Sequence, residues 1–320
     1  MTFAGSPDRV EAQLVPDAGY ELDTFRIAAL PRQPSPALVR AVMLAGRAPI
    51  ACRRILQRRR ADVVLGAGGY VAGPMVYAAW RRRTPAALTE FDARLGLANR
   101  LAARFAKRIF LAYELVDRAE PKYRVVGRPV PENARPLDRA VARAQLGLPA
   151  EGRVLLVAGA RAGATALNEL AIESFGAVGP PVLHVSGERD YPALSRRVSR
   201  PDYRLVPVLD GLGAAYGACD LALTRAGGSV WELAAAGLPA ILVPYPFATG
   251  DHQTLNARSF QQSGGAIVVP ETELGRVPEL ARSLLGDDDR LELMSERMRA
   301  VARPDAARVI AEELIALAAA

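Results

Sequence analysis

Short apolar runs alternate with longer segments of helical periodicity along the chain. This alternation is typical of a parallel α/β sheet, in which each strand is followed by a helix. The pattern predicts ten strands, at residues 62–65, 86–88, 108–112, 124–126, 154–157, 181–185, 203–206, 221–224, 240–243 and 266–269. Helices are predicted between and after them, among others at residues 97–106, 166–174, 230–236, 290–301 and 304–320.

A proline-rich segment at residues 128–136 separates two sets of these strands and predicts an interdomain linker. A chain of 320 residues is long enough for two domains, each with its own core. We expect a first domain at residues 1–135 and a second at 136–303. A C-terminal helix at residues 304–320 is expected to pack back on the first domain.

Composition excludes several classes of protein. Half of the residues are hydrophobic and 23% are charged, which excludes wholesale disorder, and two cysteines cannot form a disulfide framework. The first residues lack the basic and then apolar pattern of a signal peptide. The uncharged stretch 233–250 contains Pro239, Pro244 and Pro246, which would leave backbone groups unpaired in lipid. We therefore expect a cytosolic chain without a membrane span.

The net charge of +7 is unevenly distributed. Residues 31–110 contain 16 basic and three acidic side chains, so the rest of the chain is net negative. A basic first third suggests an anionic partner, although codon bias towards arginine is an alternative explanation. Nucleic acid is not expected, because the arginines are not interleaved with aromatic residues in a known reader motif.

Segment 38–60 of this basic region combines seven arginines with large apolar residues. Pro49 is expected to divide it into two parts, each able to lie on an anionic membrane surface. The alternative is that its apolar residues form part of the core, with the arginines solvated around them; they are Val39, Val42, Met43, Ile55 and Leu56.

Three glycine clusters follow predicted strands, at residues 66–74, 158–163 and 225–229. Glycine allows the tight turn from strand to helix, and the free N–H groups of such a turn favour phosphate oxygens. After the third cluster, Ser229 and Glu232 fit either a capping box or a ligand site in which Glu232 binds sugar hydroxyls. A polar patch at residues 251–256 follows the next strand and is expected in the same crevice.

Other chemistry is not indicated. His184, His252 and the two cysteines have no metal-ligand spacing, and no phosphate-binding loop or nucleophile elbow motif is found. His184 is interpreted as a satisfied polar residue at a strand end. The run Asp287–Asp289 is interpreted as the charged start of a helix.

Four segments occur in an order that resembles the MurG family of glycosyltransferases, which complete lipid II in bacterial cell-wall synthesis. They are DVVLGAGGYVAGP (62–74), TEFDARLGLANR (89–100), RAGGSVWE (225–232) and DHQTLNA (251–257). The resemblance covers nearly the whole chain. It implies two facing Rossmann-like domains of the GT-B type, a C-terminal domain that binds UDP-N-acetylglucosamine, and an N-terminal domain that docks on the membrane beside the lipid acceptor.

The resemblance also implies site residues. Glu232 matches the acidic ribose ligand, Gln253 the glutamine that binds the sugar, and Leu209 the apolar position whose backbone reads uracil. The loop beside the diphosphate matches Gly228, Ser229, Val230 and Trp231. The loop at Gly68, Gly69 and Tyr70 is expected to face the acceptor diphosphate, and Asp92 occupies the position of a sugar-contacting asparagine.

Several positions depart from the family pattern. The chain begins at what resembles the second strand, so one β–α unit of about 30 residues, with its histidine loop, is expected to be missing. The catalytic base is therefore not identified, with Asp92 as a weak candidate. Pro131 replaces a family arginine, Arg161 replaces a serine, and the loop near Ser229 is one residue short.

The implied activity is the inverting, metal-independent transfer of N-acetylglucosamine from UDP to the undecaprenyl-diphosphate-linked muramyl-pentapeptide. No cofactor is expected, and the expected location is peripheral, at the cytoplasmic face of the plasma membrane. The alternative is a catalytically inactive paralogue that binds a nucleotide sugar or a membrane partner.

Overall fold

The structure is a computed structural model that describes residues 1–28, 33, 35–159 and 164–320. It divides into two compact units. Unit 1 comprises Met1–Val126 and Arg308–Ala320, and unit 2 comprises Gly127–Ala307.

The described residues form twelve strands: β1 Phe3–Gly5, β2 Leu22–Thr24, β3 Val64–Gly66, β4 Ala86–Glu90, β5 Arg108–Leu111, β6 Tyr123–Val125, β7 Leu155–Ala158, β8 Val182–Val185, β9 Tyr203–Val206, β10 Leu221–Thr224, β11 Ala240–Leu242 and β12 Ala266–Val268. They also form thirteen α-helices: α1 Glu11–Asp17, α2 Pro36–Arg59, α3 Gly69–Arg81, α4 Leu97–Ala102, α5 Arg139–Leu146, α6 Thr165–Phe175, α7 Tyr191–Leu194, α8 Gly213–Ala218, α9 Val230–Ala236, α10 His252–Ser263, α11 Val277–Leu285, α12 Asp288–Val301 and α13 Ala306–Ala319.

Unit 2 is built on one parallel sheet of six strands in the order β12-β11-β10-β7-β8-β9. The strand order reverses between β7 and β10, as in a doubly wound Rossmann-like domain. All four residues of β7, β8 and β10 are buried, which is expected for parallel strands covered by helices on both faces.

Unit 1 contains two parallel sheets, one with the order β1-β2 and one with the order β3-β4-β5-β6. Both contribute to one hydrophobic cluster: Phe25 follows β2, Val64 belongs to β3 and Leu88 to β4. Helix α13 also belongs to this unit along most of its length, where Ile310 packs with Phe110 and Val126.

The prediction for segment 38–60 was wrong at Pro49. Helix α2 continues through this proline as one element of 24 residues, from the Ser35 cap to Arg60 in left-handed conformation. Proline removes one backbone hydrogen bond, and packing can offset this loss. Here Ala48, Cys52, Ile55 and Leu56 lie in the hydrophobic cluster of unit 1.

The segment predicted as a linker is packed on unit 2. Ala134 is buried, and the backbone around Asn133 and Arg135 approaches the loop before α8 so closely that Gly211 and Gly213 must be glycines. A methyl group at Gly213 would lie 2.1 Å from the Arg135 carbonyl oxygen.

The sequence prediction of an α/β fold with two Rossmann-like domains is confirmed, and all ten predicted strands are present with shifts of one or two residues at some ends. The pattern did not predict β1 or β2, which have three residues each and lie where no run of several apolar residues marks a strand. Among the described residues, no helix combines the length and apolar character needed to cross a bilayer.

Candidate functional site

The carboxyl ends of β7 and β10 mark the candidate site in unit 2, because ligands of doubly wound sheets bind where the strand order reverses. The loop Arg225–Ser229 leaves β10 at this point and leads into α9. The glycine cluster 158–163 leaves β7 beside it, but Arg161 and its neighbours at 160–163 lie outside the described residues.

Glu232 lies in the first turn of α9, and its Oε2 accepts a hydrogen bond from the Tyr216 hydroxyl at 2.8 Å. Burial and the nearby Glu232 carboxylate raise the pKa of Tyr216, which keeps this hydroxyl protonated as a donor. The capping-box interpretation is not supported, because Ser229 has helical backbone angles and makes no side-chain capping bond. Tyr216, rather than Ser229, therefore orients Glu232.

The residues expected beside the diphosphate differ in their access to a ligand. Gly228 and Ser229 are partly exposed, whereas the side chains of Val230 and Trp231 are buried. Trp231 packs edge to face against Phe260, with ring centroids 5.4 Å apart. Val230 and Trp231 can therefore offer a ligand only their backbone groups.

Gln253 lies in the first turn of α10, at the carboxyl edge of the same sheet. Its Oε1 accepts a hydrogen bond from the Tyr245 backbone N–H at 2.9 Å. This contact fixes the orientation of the carboxamide and leaves Nε2 as the group that can donate to a ligand. Leu209 lies partly exposed in the loop after β9, before Gly211.

Arg225 was not singled out in the sequence, although it directly follows β10. It is buried, donates to the carbonyl oxygens of Val243 and Pro244 at 3.3 and 3.4 Å, and forms an ion pair with Glu271. Its guanidinium also lies 5.5 Å from the centre of the Tyr245 ring. Arg225 thus joins the loops after β10 and β11, which lead to the helices that carry Glu232 and Gln253.

His184 belongs to a buried polar chain and not to an exposed site. Its Nε2 lies 2.9 Å from Asn168 Oδ1, and its Nδ1 lies 2.8 Å from the Tyr203 hydroxyl. Burial lowers the pKa of His184 to about 4, so the ring is neutral at pH 7. Asn168 also donates to the Ser186 carbonyl at 2.9 Å and to Asp190 at 2.9 Å. The interpretation of His184 as a satisfied polar residue is confirmed.

The remaining predicted residues lie in unit 1. Gly68 and Gly69 both have positive φ at the turn from β3 to α3, and Arg9 lies 5.6 Å from the centre of the Tyr70 ring. Asp92 lies in the loop after β4. Thr89 at the end of β4 and Asn99 on α4 are both within 3.9 Å of a methyl group placed at Gly68, so the two loops are neighbours.

Glu90, which was not among the predicted site residues, organises the loop that carries Asp92. Its buried carboxylate accepts hydrogen bonds from the Gly96 N–H at 2.8 Å and from Asn99 Nδ2 at 3.0 Å. The Asp92 N–H is 3.4 Å from the other carboxylate oxygen. A buried carboxylate with three donors positions the loop backbone.

No cluster of three or more potential metal ligands occurs among the residues that the structure describes. The run Asp287–Asp289 is the start of α12, where the Asp287 side chain accepts a hydrogen bond from the Arg290 N–H.

Comparisons with known proteins agree with this architecture. The family model of the glycosyltransferase family 28 N-terminal domain matches residues 2–111, and that of the C-terminal domain matches residues 154–310. A crystal structure of MurG from Acinetobacter baumannii aligns with 98% of this chain and 90% of its own, at 26% identity and a TM-score of 0.78.

Two curated relatives have the name UDP-N-acetylglucosamine–N-acetylmuramyl-(pentapeptide) pyrophosphoryl-undecaprenol N-acetylglucosamine transferase. The protein from Salinibacter ruber is 39% identical, over 99% of this chain and 88% of its own length. The protein from Halothermothrix orenii is 34% identical, over 95% of this chain and 87% of its own length. The chain therefore belongs to the MurG family and is a glycosyltransferase.

Proposed function

We propose that the protein transfers N-acetylglucosamine from UDP-N-acetylglucosamine to the undecaprenyl-diphosphate-linked muramyl-pentapeptide, the step from lipid I to lipid II in peptidoglycan synthesis. The observation that carries this proposal is the 39% identity, over 99% of the chain, to a relative named for this reaction. The comparisons contain nothing that favours the alternative of a catalytically inactive paralogue.

The donor nucleotide binds unit 2 in this proposal. The half-buried Glu232 carboxylate, oriented by Tyr216, accepts hydrogen bonds from the ribose hydroxyls. The amide of Gln253 binds the sugar, and the backbone near Leu209 binds uracil. The loop at Gly228 and Ser229 lies beside the diphosphate, at the point where the strand order reverses.

The acceptor binds unit 1, with its diphosphate at Gly68, Gly69 and Tyr70. The acceptor hydroxyl attacks the anomeric carbon of the donor sugar, the bond from that carbon to the UDP oxygen breaks, and the configuration inverts. A base takes the hydroxyl proton. Asp92, held on the loop that Glu90 organises, is the candidate that this chain offers, and the transfer requires no metal.

The protein acts at the cytoplasmic face of the plasma membrane, to which α2 binds peripherally. Four large apolar side chains of α2 are exposed and share one helix face, at spacings of three, one and seven residues; they are Val39, Val42, Met43 and Ile50. Arg47, Arg53 and Arg54 are also exposed on or beside this face. Exposed apolar residues among arginines are typical of helices that lie in the interface of an anionic bilayer.

The transfer reaction is tested by incubating the full chain with labelled UDP-N-acetylglucosamine and a lipid I analogue. We expect a disaccharide product and release of UDP. Glu232→Gln should weaken UDP binding about ten- to hundred-fold in calorimetry, because a charged hydrogen-bond acceptor is lost. Arg290→Met, on the exposed start of α12, is the control. UDP binding without any sugar transfer would favour the inactive paralogue.

Membrane binding is tested by sedimentation with vesicles. Anionic vesicles should bind the chain at low salt and release it at high salt, and neutral vesicles should bind weakly. Replacing both Arg53 and Arg54 by glutamine should lower partitioning about thirtyfold, at about 1 kcal/mol for each basic residue. Replacing Arg196 and Arg290, two exposed arginines of unit 2, by glutamine removes the same charge and is the control. Equal binding to neutral and anionic vesicles would contradict the docking proposal.

A further inference from the structure

Arg128 is the second residue of unit 2, and its backbone is held from both sides. Gly127 before it has a φ of +84° and lies against Arg303, where a methyl group would be 2.3 Å from the Arg303 Cβ. Pro129 after it restricts the Arg128 backbone to extended conformations. The position of Arg128 is therefore well defined although it lies outside helices and strands.

The Arg128 guanidinium covers the loop that follows β10. A methyl group at Gly228 would lie 2.3 Å from Cζ of Arg128 and 2.4 and 2.6 Å from its two terminal nitrogens. The whole planar group thus lies against the backbone of Gly228, and only a glycine permits this approach. The Arg128 side chain is partly buried, so it keeps a surface that a ligand can reach.

We propose that Arg128 is a ligand of the diphosphate of the bound nucleotide sugar. This inference rests on the proposed function, in which the loop at Gly228 lies beside that diphosphate. A guanidinium offers several donors in one plane and binds phosphate oxygens in pairs.

A purely structural role for Arg128 is the competing explanation, in which its guanidinium only fills space above Gly228. The two roles differ in their dependence on ligand charge. If Arg128 binds the phosphates, it should stabilise bound nucleotides more as their phosphate charge increases, and salt should screen this attraction. A space-filling group affects uridine and UDP equally, because it acts on the shape of the site that both share.

The test measures the affinities of uridine, UMP and UDP by calorimetry for the full chain and for Arg128→Met, which keeps an unbranched, flexible side chain but removes the charged guanidinium. UDP affinity should fall about ten- to hundred-fold in the variant, as for loss of a charged hydrogen bond. Uridine affinity should be unchanged, and the salt dependence of UDP binding should be weaker. Arg290→Met removes the same charge from the exposed start of α12 and should leave UDP affinity unchanged.

A second variant tests the contact itself. Gly228→Ala should displace the guanidinium, which is the mobile end of a side chain, with little effect on the unfolding temperature. We expect it to weaken UDP binding in the parent chain and to have a much smaller effect in the Arg128→Met background, because the two changes remove one interaction.

The outcomes separate this inference from the proposed function. If UDP binds and Glu232→Gln weakens it, but Arg128→Met changes neither the UDP affinity nor its salt dependence, the assignment of Arg128 is wrong and the proposed donor site stands. Equal losses for uridine and UDP in Arg128→Met would also overturn it in favour of the structural role. A parent chain that binds neither uridine nor UDP would overturn both.

Discussion

Units 1 and 2 each contain an aspartate that pairs with more than one arginine, but the two ion clusters differ in how deeply they are buried. In unit 2, Asp220 accepts hydrogen bonds from Arg139, Arg143, Arg153 and the Val154 N–H, at 2.8 to 3.1 Å from the nearest atom of each donor. The side chains of Asp220 and Arg143 are only 3% and 2% exposed, whereas those of Arg139 and Arg153 are 44% and 38% exposed. In unit 1, Asp23 is 6% exposed, but its partners Arg58 and Arg59 are 65% and 27% exposed.

The two ion clusters stabilise different parts of the fold: one joins two strands of a sheet, and the other fixes the end of a helix. Asp220 lies immediately before β10, at the amino edge of the sheet, and ties β7 and β10 together at the end opposite the candidate site. Arg143 also donates to the carbonyls of residues 149, 150 and 152, so this end of the sheet is closed by a fully bonded polar core. Asp23 instead fixes the end of α2, whose other arginines remain exposed to solvent.

The main sheets of the two units also differ, in their strand order. In unit 2 the strand order reverses between β7 and β10, and ligands of doubly wound sheets bind at the carboxyl ends of the strands at such a point. The four-stranded sheet of unit 1 runs in chain order from β3 to β6 and has no reversal. The candidate site of unit 1 is instead shaped by local backbone geometry, namely the positive φ angles of Gly68 and Gly69 and the hydrogen bonds that Glu90 accepts.

The largest expected effect comes from breaking the deeper ion cluster. Asp220→Asn leaves the buried Arg143 without a compensating charge, so we expect unit 2 to lose about 3–5 kcal/mol of stability. Hydrogen exchange of the full chain, followed peptide by peptide, assigns the loss to a unit. Glu169→Gln, which removes an exposed pair with Arg197, is the control and should cost less than about 1 kcal/mol. A similar loss of stability in both variants would show that burial of the ion cluster does not determine the cost of breaking it.

Acid should weaken unit 2 before unit 1, because His184 is buried and neutral. Its pKa is about 4 in the folded state and about 6.5 when unfolded, so the unfolded state binds the extra proton first. The stability that this residue contributes is present above pH 6.5 and is lost as the pH falls towards 4, by about 3 kcal/mol. Arginine hydrogen bonds lower the pKa of Asp23, so its contribution is lost only below its ordinary pKa of 3.8.

Denaturant unfolding from pH 7 to pH 4.5 tests this prediction. His184→Gln should flatten the decline, whereas His252→Gln, at a partly exposed histidine whose Nδ1 lies 2.9 Å from the Thr249 carbonyl oxygen, should leave it in place. A decline of equal slope in His184→Gln and the parent chain would show that the proton is taken up elsewhere.

The smallest expected effect is in unit 1. Asp23→Asn should cost about 1–2 kcal/mol, because Arg58 and Arg59 regain water when their partner loses its charge. Exchange should increase in the peptides of β2 and the end of α2. If Asp23→Asn lost as much stability as Asp220→Asn, the exposure of the arginine partners would not determine how much stability depends on the carboxylate.

Parts of the site were visible in the sequence and parts were not. The glycines before Glu232 follow a buried strand, and the family motifs around Glu232 and Gln253 are contiguous, so both could be selected without a structure. Arg128, Glu90 and Tyr216 could not be selected in this way. Arg128 and Tyr216 act on segments 100 and 16 residues further on, and only the approach of Arg128 to Gly228 indicates its role. Glu90 acts within its own loop, but the hydrogen bonds that it accepts from Gly96 and Asn99 are visible only in the structure.

The sequence by itself determined the α/β class and the positions of ten strands, because buried parallel strands are short apolar runs between helical segments. It also determined the family, through motifs that are local. The tertiary structure alone decided that α2 continues through Pro49, that residues 128–136 pack on unit 2, and that Tyr216 rather than Ser229 holds Glu232. These outcomes depend on contacts between segments far apart in the chain, whose packing energy exceeds the local preferences of proline and serine.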